Sequence, residues 1–321
     1  MIFRKLRHHI SLLSGKSDTP LKEFYCILAA VCVISRAMIP ESVFSISPNP
    51  RFFYVTPSVQ AAIAKTQYVI RAKQGLTTII GDVGLGKTSL LRLLYNDYDD
   101  SPAHTSAFIV NPKQTSETAF LKAICTEFGV KTKRSQRETE YELRAFLIDQ
   151  FKQSKNVVLF IDEAQQLRGP MFEQIRQILN FETDETKLIS IVMAGQVELR
   201  YKLADRSKRA LVSRIAVSST LDALSPEETA GMIDFRCTVA NVKNPFEDDA
   251  ISAVYQWSKG VPREAIKLCA MAVQYAAINK MEKIPADLVE LAATDIVRPS
   301  DDSEEMATPH RGTMKAVREA V

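Results

Sequence analysis

The sequence predicts an α/β fold: a parallel five-stranded sheet flanked by helices, followed by a small all-α domain. Three observations carry this expectation. Short apolar runs alternate with amphipathic stretches from about residue 44 to 220, and after 220 the runs stop while helical spacing continues. A glycine-rich stretch, GDVGLGKT at 81–88, joins the first run to a helix-like segment. Parallel strands need crossover connections, usually helices, so strand–helix alternation points to a parallel sheet.

The expected strands are LTTII (76–80), SAFIV (106–110), NVVLFI (156–161), KLISIVMA (187–194) and RIAVSS (214–219). Near-continuous apolar character marks strands covered on both faces. TSLLRLLYNDY follows the first with helical spacing, and ETEYELRAFLIDQFKQ precedes the third. Beyond 220, SPEETAGMIDFRCTVA opens on Ser225 with Glu228 three residues on, a capping box. EDDAISAVYQWS, VPREAIKLCAMAVQYAAIN and PADLVELAATDIV continue the helical pattern. The domains read as an N-terminal extension at 1–43, an α/β domain at 44–220, a small helical domain at 221–297 and a disordered tail at 298–321.

Composition narrows the class. The chain has 321 residues, 46% hydrophobic and 25% charged, as in an ordinary globular protein. The five cysteines (26, 32, 125, 237, 269) show no CxxC spacing, which points to free thiols in a reducing cytoplasm. A net charge of +3 does not by itself predict a nucleic-acid binder, so any such surface is a local patch. In the extension, FYCILAAVCVI (24–34) is shorter than the roughly 20 residues of a membrane-spanning helix, so no stable span is expected. His8 and His9 sit in a basic segment without neighbouring ligands and read as solvated.

GDVGLGKT fits G-x-x-x-x-G-K-[ST], after a strand and before a helix. Gly81, Gly84 and Gly86 let the backbone N–H groups of Asp82, Val83 and Leu85 turn toward phosphates; Lys87 reaches the β/γ-phosphates, and Ser89 follows on the helix. The Thr88 hydroxyl is a Mg²⁺ ligand, with Asp162 as its partner. Asp162 and Glu163 end a fully apolar strand, and Glu163 is the candidate base for the attacking water; the plainer reading is a solvated helix start. Gln196, at the tip of IVMAGQVELR, is a candidate γ-phosphate or water contact, or an ordinary helix-start residue. The basic stretch 198–215 reads mostly as a solvated helical face. Arg214, at the entry to the last strand, is the candidate arginine finger acting on a neighbouring subunit, with Arg209 and Arg206 as fallbacks. Arg263, after Gly260 and Pro262, stands at a helix start from which it could clamp the γ-phosphate.

In this order the motifs resemble AAA+ ATPases, P-loop NTPases of the ExeA/GspA type, in the group shared with Orc/Cdc6-like and TniB/TnsC-like ATPases. SISPNPRFFYVTPSVQAAIAKTQYVI (45–70), GQVELR and GVPREAIKLC carry the more particular resemblance, over about 44–297. The resemblance implies ATP as the nucleotide, Mg²⁺, a homo-oligomeric ring or filament, and a cytoplasmic site of action. It implies that Phe52, Phe53 and Tyr54 lie near the adenine, though each could equally close a core, and it makes Met38 an alternative start. Members of the ExeA type carry further segments after the ATPase part that are not found here, which the resemblance sets against a secretion role.

Three functions follow as expectations. The first is an ATP-controlled assembly factor of the mobile-element kind on double-stranded DNA, with a transposase among its protein partners. Lys113, Lys131, Lys133 and Arg134, in NPKQTS (111–116) and KTKRSQR (131–137), are the candidate DNA contacts, or plain solvated loops. The second is a secretion or envelope-assembly ATPase acting on protein partners. The third is a nucleotide-gated regulator with little turnover.

Overall fold

A computed structural model describes residues 40, 42–47 and 49–296. The expectations for residues 1–39 and for 297–321 fall outside the described residues. In chain order the α/β part comprises α1 (Pro57–Arg71), β1 (Leu76–Ile80), α2 (Lys87–Asp99), β2 (His104–Ile109), α3 (Glu117–Glu127), α4 (Gln136–Lys152) and β3 (Asn156–Ile161). It continues through α5 (Gly169–Ile178), β4 (Ile189–Gly195), α6 (Val197–Ala204), α7 (Arg209–Val212) and β5 (Ile215–Thr220). The helical part is α8 (Pro226–Val239), α9 (Asp248–Ser258), α10 (Pro262–Ile278) and α11 (Ala286–Asp295).

The five strands pair in parallel in the order β2-β3-β4-β1-β5. Successive side chains point to opposite faces, so each strand feeds two cores. Val157, Leu159 and Ile161 of β3 meet α3, α4, α5 and α6 on one face. Val158 and Phe160 meet α1 and α2 on the other. Both faces are covered, which is why β3 after Asn156 reads as an unbroken apolar run, and β1 and β4 bury their few hydroxyl side chains, Thr77, Thr78 and Ser190, as well.

Helix starts follow local chemistry. Thr56 caps α1 by accepting from the Val59 N–H, with Pro57 in the first turn, and Ser116 caps α3 in the same way. The capping box at Ser225 and Glu228 is complete: the Ser225 hydroxyl accepts from the Glu228 N–H at 3.1 Å, and Glu228 Oε2 accepts from the Ser225 N–H at 2.9 Å.

The strands β4 and β5 are each shifted by one or two residues from the expected runs, and three further differences have a physical cause. The strand β2 starts at His104, because its backbone pairs with Asn156 whatever the polarity of the side chain. The 198–215 stretch is not one helix: Asp205 accepts from the Ser207 N–H at 2.8 Å and turns the chain, splitting it into α6, a 3₁₀ turn at Arg206–Lys208, and α7. Val43 and Phe44 precede the sheet in sequence but belong to the core of the helical part, where Phe44 meets Phe246 edge-on at 5.7 Å. No described helix is long and apolar enough to cross a membrane.

Replacing Ser225 by Ala removes one half of the capping box and is expected to destabilise the helical part by about 0.5–2 kcal/mol. Denaturant unfolding followed by the fluorescence of Trp257, the single tryptophan of the chain, measures this where the effect falls.

Candidate functional site

Parallel strands deliver their C-terminal ends to one edge. There the loop 81–86 leaves β1, Asp162 and Glu163 leave β3, and Gln196 leaves β4, the strand between them. In the loop Gly84 and Gly86 adopt φ of +85° and +90°, a region that L side chains rarely enter. Gly81 serves otherwise: a Cβ there would lie 2.9 Å from the Leu221 carbonyl oxygen, at the end of β5. The first turn of α2 has no side-chain cap, so its N–H groups are left for an anion at this loop.

Lys87 is buried, and its Nζ donates to the Gly81 and Asp82 carbonyls at 2.8 and 2.7 Å. Burial lowers its pKa, opposed by the charges of Glu163, Asp162 and Asp82. Thr88 Oγ1 donates to Asp162 Oδ2 at 2.6 Å, and the other carboxylate oxygen accepts from the Glu163 N–H at 2.9 Å. Burial raises the Asp162 pKa, and these two hydrogen bonds hold it back. A hydroxyl and a carboxylate side by side fit a hard cation that takes its remaining oxygens from substrate phosphates and water. Among the described residues no larger cluster of His, Cys, Asp and Glu offers a metal site of its own.

Glu163 has φ of 51°, an uncommon backbone for a non-glycine residue, and its carboxylate faces Gln196. Gln196 Nε2 donates to Glu163 Oε2 at 3.4 Å, while Gln165 Nε2 donates to the same oxygen at 2.5 Å. Gln165 Oε1 also accepts from the Gln196 N–H at 3.1 Å, tying the ends of β3 and β4 together. The sequence reading passed over Gln165; its signal was a second amide two residues after the carboxylate.

The helical part closes the cleft. The Arg263 N–H, in the first turn of α10, donates to the Gly84 carbonyl at 3.3 Å, and Val261 and Arg263 press on Gly84 so closely that a Cβ there would collide. Glu163, Gln196 and Arg263 line one cleft with Val83, Gly84, Leu85, Gly86, Lys87, Thr88 and Ser89. Phe52, Phe53 and Tyr54 line it too. Phe53 lies against Gly86, while Tyr54 packs against Phe235 and Gly231 of α8. The cleft also holds Arg236, Asp222, Leu224 and Met232, none of which the motifs named.

Arg214 is not brought to this cleft. It precedes β5 at the edge where the strands begin, about 16 Å from the loop edge at strand rise. Its guanidinium donates to Asn180 Oδ1 at 2.7 Å and to the Ala210 carbonyl. Arg206 and Arg209, on the same side, are exposed. Lys113, Lys131, Lys133 and Arg134 are exposed as well. Thr118, in the first turn of α3, donates from Oγ1 to Oε1 of Gln136, the first residue of α4, at 2.9 Å. The 131–137 stretch, free of acids in sequence, acquires one in space: Lys133 pairs with Glu142 at 3.2 Å.

Comparison with known proteins agrees with this geometry. Residues 70–203 match the family model of the AAA domain. The chain is 34% identical over 260 residues to General secretion pathway protein A of Aeromonas hydrophila, covering 80% of this chain and 47% of that one. It is 27% identical over 144 residues to a potential ATP-binding protein of Staphylococcus aureus, covering 44% and 51%. The chain thus spans about half the length of the curated relatives it matches. Among solved structures, Cdc6p of Pyrobaculum aerophilum superposes with a TM-score of 0.62 at 17% identity, over 84% of this chain and 75% of that one. The ORC2 protein of Aeropyrum pernix in its ADPNP–ADP complexes gives 0.60 at 17%, over 83% and 74%. Those two likenesses concern the fold alone. Sheet order, nucleotide cleft and the family match at 70–203 together give the chain the fold of an AAA+ P-loop NTPase, and its sequence is similar to General secretion pathway protein A.

Proposed function

We propose that the chain hydrolyses ATP in a site shared between neighbouring copies and uses the cycle to act on a protein partner in secretion or envelope assembly. One observation carries the chemistry: a single cleft collects the phosphate loop, Glu163, Gln196 and Arg263, with Asp162 bonded to Thr88 at its base. Lys87 exchanges its two carbonyl partners for the β/γ-phosphate oxygens, which bind an ammonium more strongly because they are charged. Thr88 and Asp162 would hold Mg²⁺, which supplies charge neutralisation at the phosphates. Glu163 takes the proton of the attacking water, and Gln196, already at its carboxylate, orients that water. Arg263 adds positive charge from the lid side.

The cleft's own chain supplies no finger from the 206–214 stretch. Arg214, at the opposite sheet edge, serves only a neighbouring copy, which supports a homo-oligomer with ATP at its interfaces.

The likeness to General secretion pathway protein A supports a protein partner over the mobile-element reading. The DNA reading keeps one observation in its favour, the exposure of Lys113, Lys131 and Arg134. Pairing of Lys133 with Glu142 lessens the charge that 131–137 offers to phosphates. Buried, unpaired Cys125, Cys237 and Cys269 agree with action in the reducing cytoplasm, where ATP is available.

Glu163→Gln is expected to lower kcat by about 10²–10⁴-fold while ATP binding persists; undiminished turnover in a steady-state assay would leave the nucleotide-gated regulator as the better account. Arg214→Ala alone should be inactive, and mixing it with Glu163→Gln should restore turnover, because one variant supplies the guanidinium and the other the carboxylate. Failure of the mixture to regain activity removes the shared site. Duplex DNA retention at low salt is expected to be indifferent to ATP, whereas ATP-stimulated, salt-sensitive retention would restore the DNA-associated reading.

A further inference from the structure

The cleft has two chemically distinct ends. At one, Lys87 and the start of α2 await anions. At the other, Leu224, Met232 and Ile266 of the helical part face the segment 45–54, of which Ser45, Ile46, Ser47, Asn49 and Phe52 line the cleft. Among its described residues that segment forms no strand and one 3₁₀ turn, Pro50–Phe52, so no ladder fixes their course.

What fixes it is Arg236 on α8. The residue is 6% exposed, and all three of its nitrogens donate to backbone carbonyls of this segment and its approach. Nε donates to Val43 at 2.7 Å, Nη1 to Phe52 at 3.1 Å and Nη2 to Ser45 at 3.0 Å. The guanidinium carbon also lies 5.4 Å from the centre of the Phe52 ring. No carboxylate pairs with it among the described residues. Burial lowers its pKa to about 10, so it stays charged at neutral pH. Buried charges are ordinarily paired with an opposite charge. Here three carbonyls substitute for one, in an arrangement matched to the planar fork of arginine and not to the point charge of lysine.

A second feature mates the same two elements. Gly231, inside α8, is where Tyr54 arrives: a Cβ at 231 would lie 2.5 Å from the Tyr54 hydroxyl oxygen. Glycine in a helix interior is unfavourable, so the missing side chain has a packing reason.

We infer that Arg236 is a positioning residue for the nucleoside: it locks residues 43–52 onto α8, so that the base and sugar of ATP meet a preformed wall. The inference rests on the reading of this cleft as the ATP site. Arg236 does not touch the phosphates; it acts through the backbone it holds. A mobile segment would have to be ordered on each binding event, which weakens binding of the nucleoside without altering the chemical step.

Inorganic tripolyphosphate carries the phosphate chain without the nucleoside and separates the two ends. With the full chain, Arg236→Met is expected to raise KM for ATP by about tenfold or more, with kcat changed less than about twofold. Its affinity for tripolyphosphate, measured by calorimetry, should equal that of the wild type, and Arg236→Lys should fall between the two. Equal loss of ATP and tripolyphosphate, or an unchanged KM, overturns the inference. Should Arg236→Met not fold, hydrogen exchange on the wild type decides. Amides of 44–54 must slow with a non-hydrolysable ATP analogue and not with tripolyphosphate; equal protection by both overturns the inference. A wild type that binds tripolyphosphate but no ATP overturns the reading of the cleft and this inference with it. Normal ATP turnover by both wild type and Arg236→Met, at the same KM, overturns this inference alone.

Discussion

Five strands running in one direction impose the constraint on which the site depends. Their C-terminal ends share an edge, and any polar residue placed just past an apolar strand is delivered there. Asp162, Glu163 and Gln196 reach the phosphate loop in this way from strands that lie far apart in sequence. Burial of the strands on both faces makes the edge rigid, and it also makes charge expensive there. Asp162 and Lys87 are both desolvated, each held by hydrogen bonds and by the other's charge. A ligand carrying several negative charges and a cation would enter a field already arranged for it.

The helical part contributes through backbone contact more than through side-chain chemistry. The Gly84 carbonyl accepts from the first turn of α10, and Gly86 leaves room for Phe53. The phosphate loop therefore touches both the lid and the segment that precedes α1. A movement in either is felt at the loop without any intermediary. This is the physical basis on which a nucleotide could change the relation between the two parts.

Legibility in the sequence varied with the range of the interaction. The strands were readable because each contains a short local stretch of apolar residues, and α8 because Ser225 and Glu228 are three residues apart. The 198–215 stretch misled, since a helical face of charges looks continuous until Asp205 turns the chain by accepting from Ser207. Gln165 and Arg236 escaped because neither belongs to a motif. Arg236 did leave a trace: it falls on the stripe of Met232, Ile233 and Cys237 that α8 buries, where an arginine is out of place.

The sequence by itself determined the chemistry on offer: a phosphate loop, a hydroxyl and carboxylate for a cation, a candidate base, and arginines near helix and strand starts. These depend on residue type and on neighbours within a few positions, which a one-dimensional pattern records. Only the tertiary structure decided which of them share a cleft. It joined Glu163 to Gln165 and Gln196, sent Arg214 to the opposite edge, paired Lys133 with Glu142 and moved Val43 and Phe44 into the helical core. Such outcomes depend on strand order and on contacts across nearly two hundred residues, as between Arg236 and Val43. No local pattern encodes them, because closing so long a loop leaves no mark on the residues between.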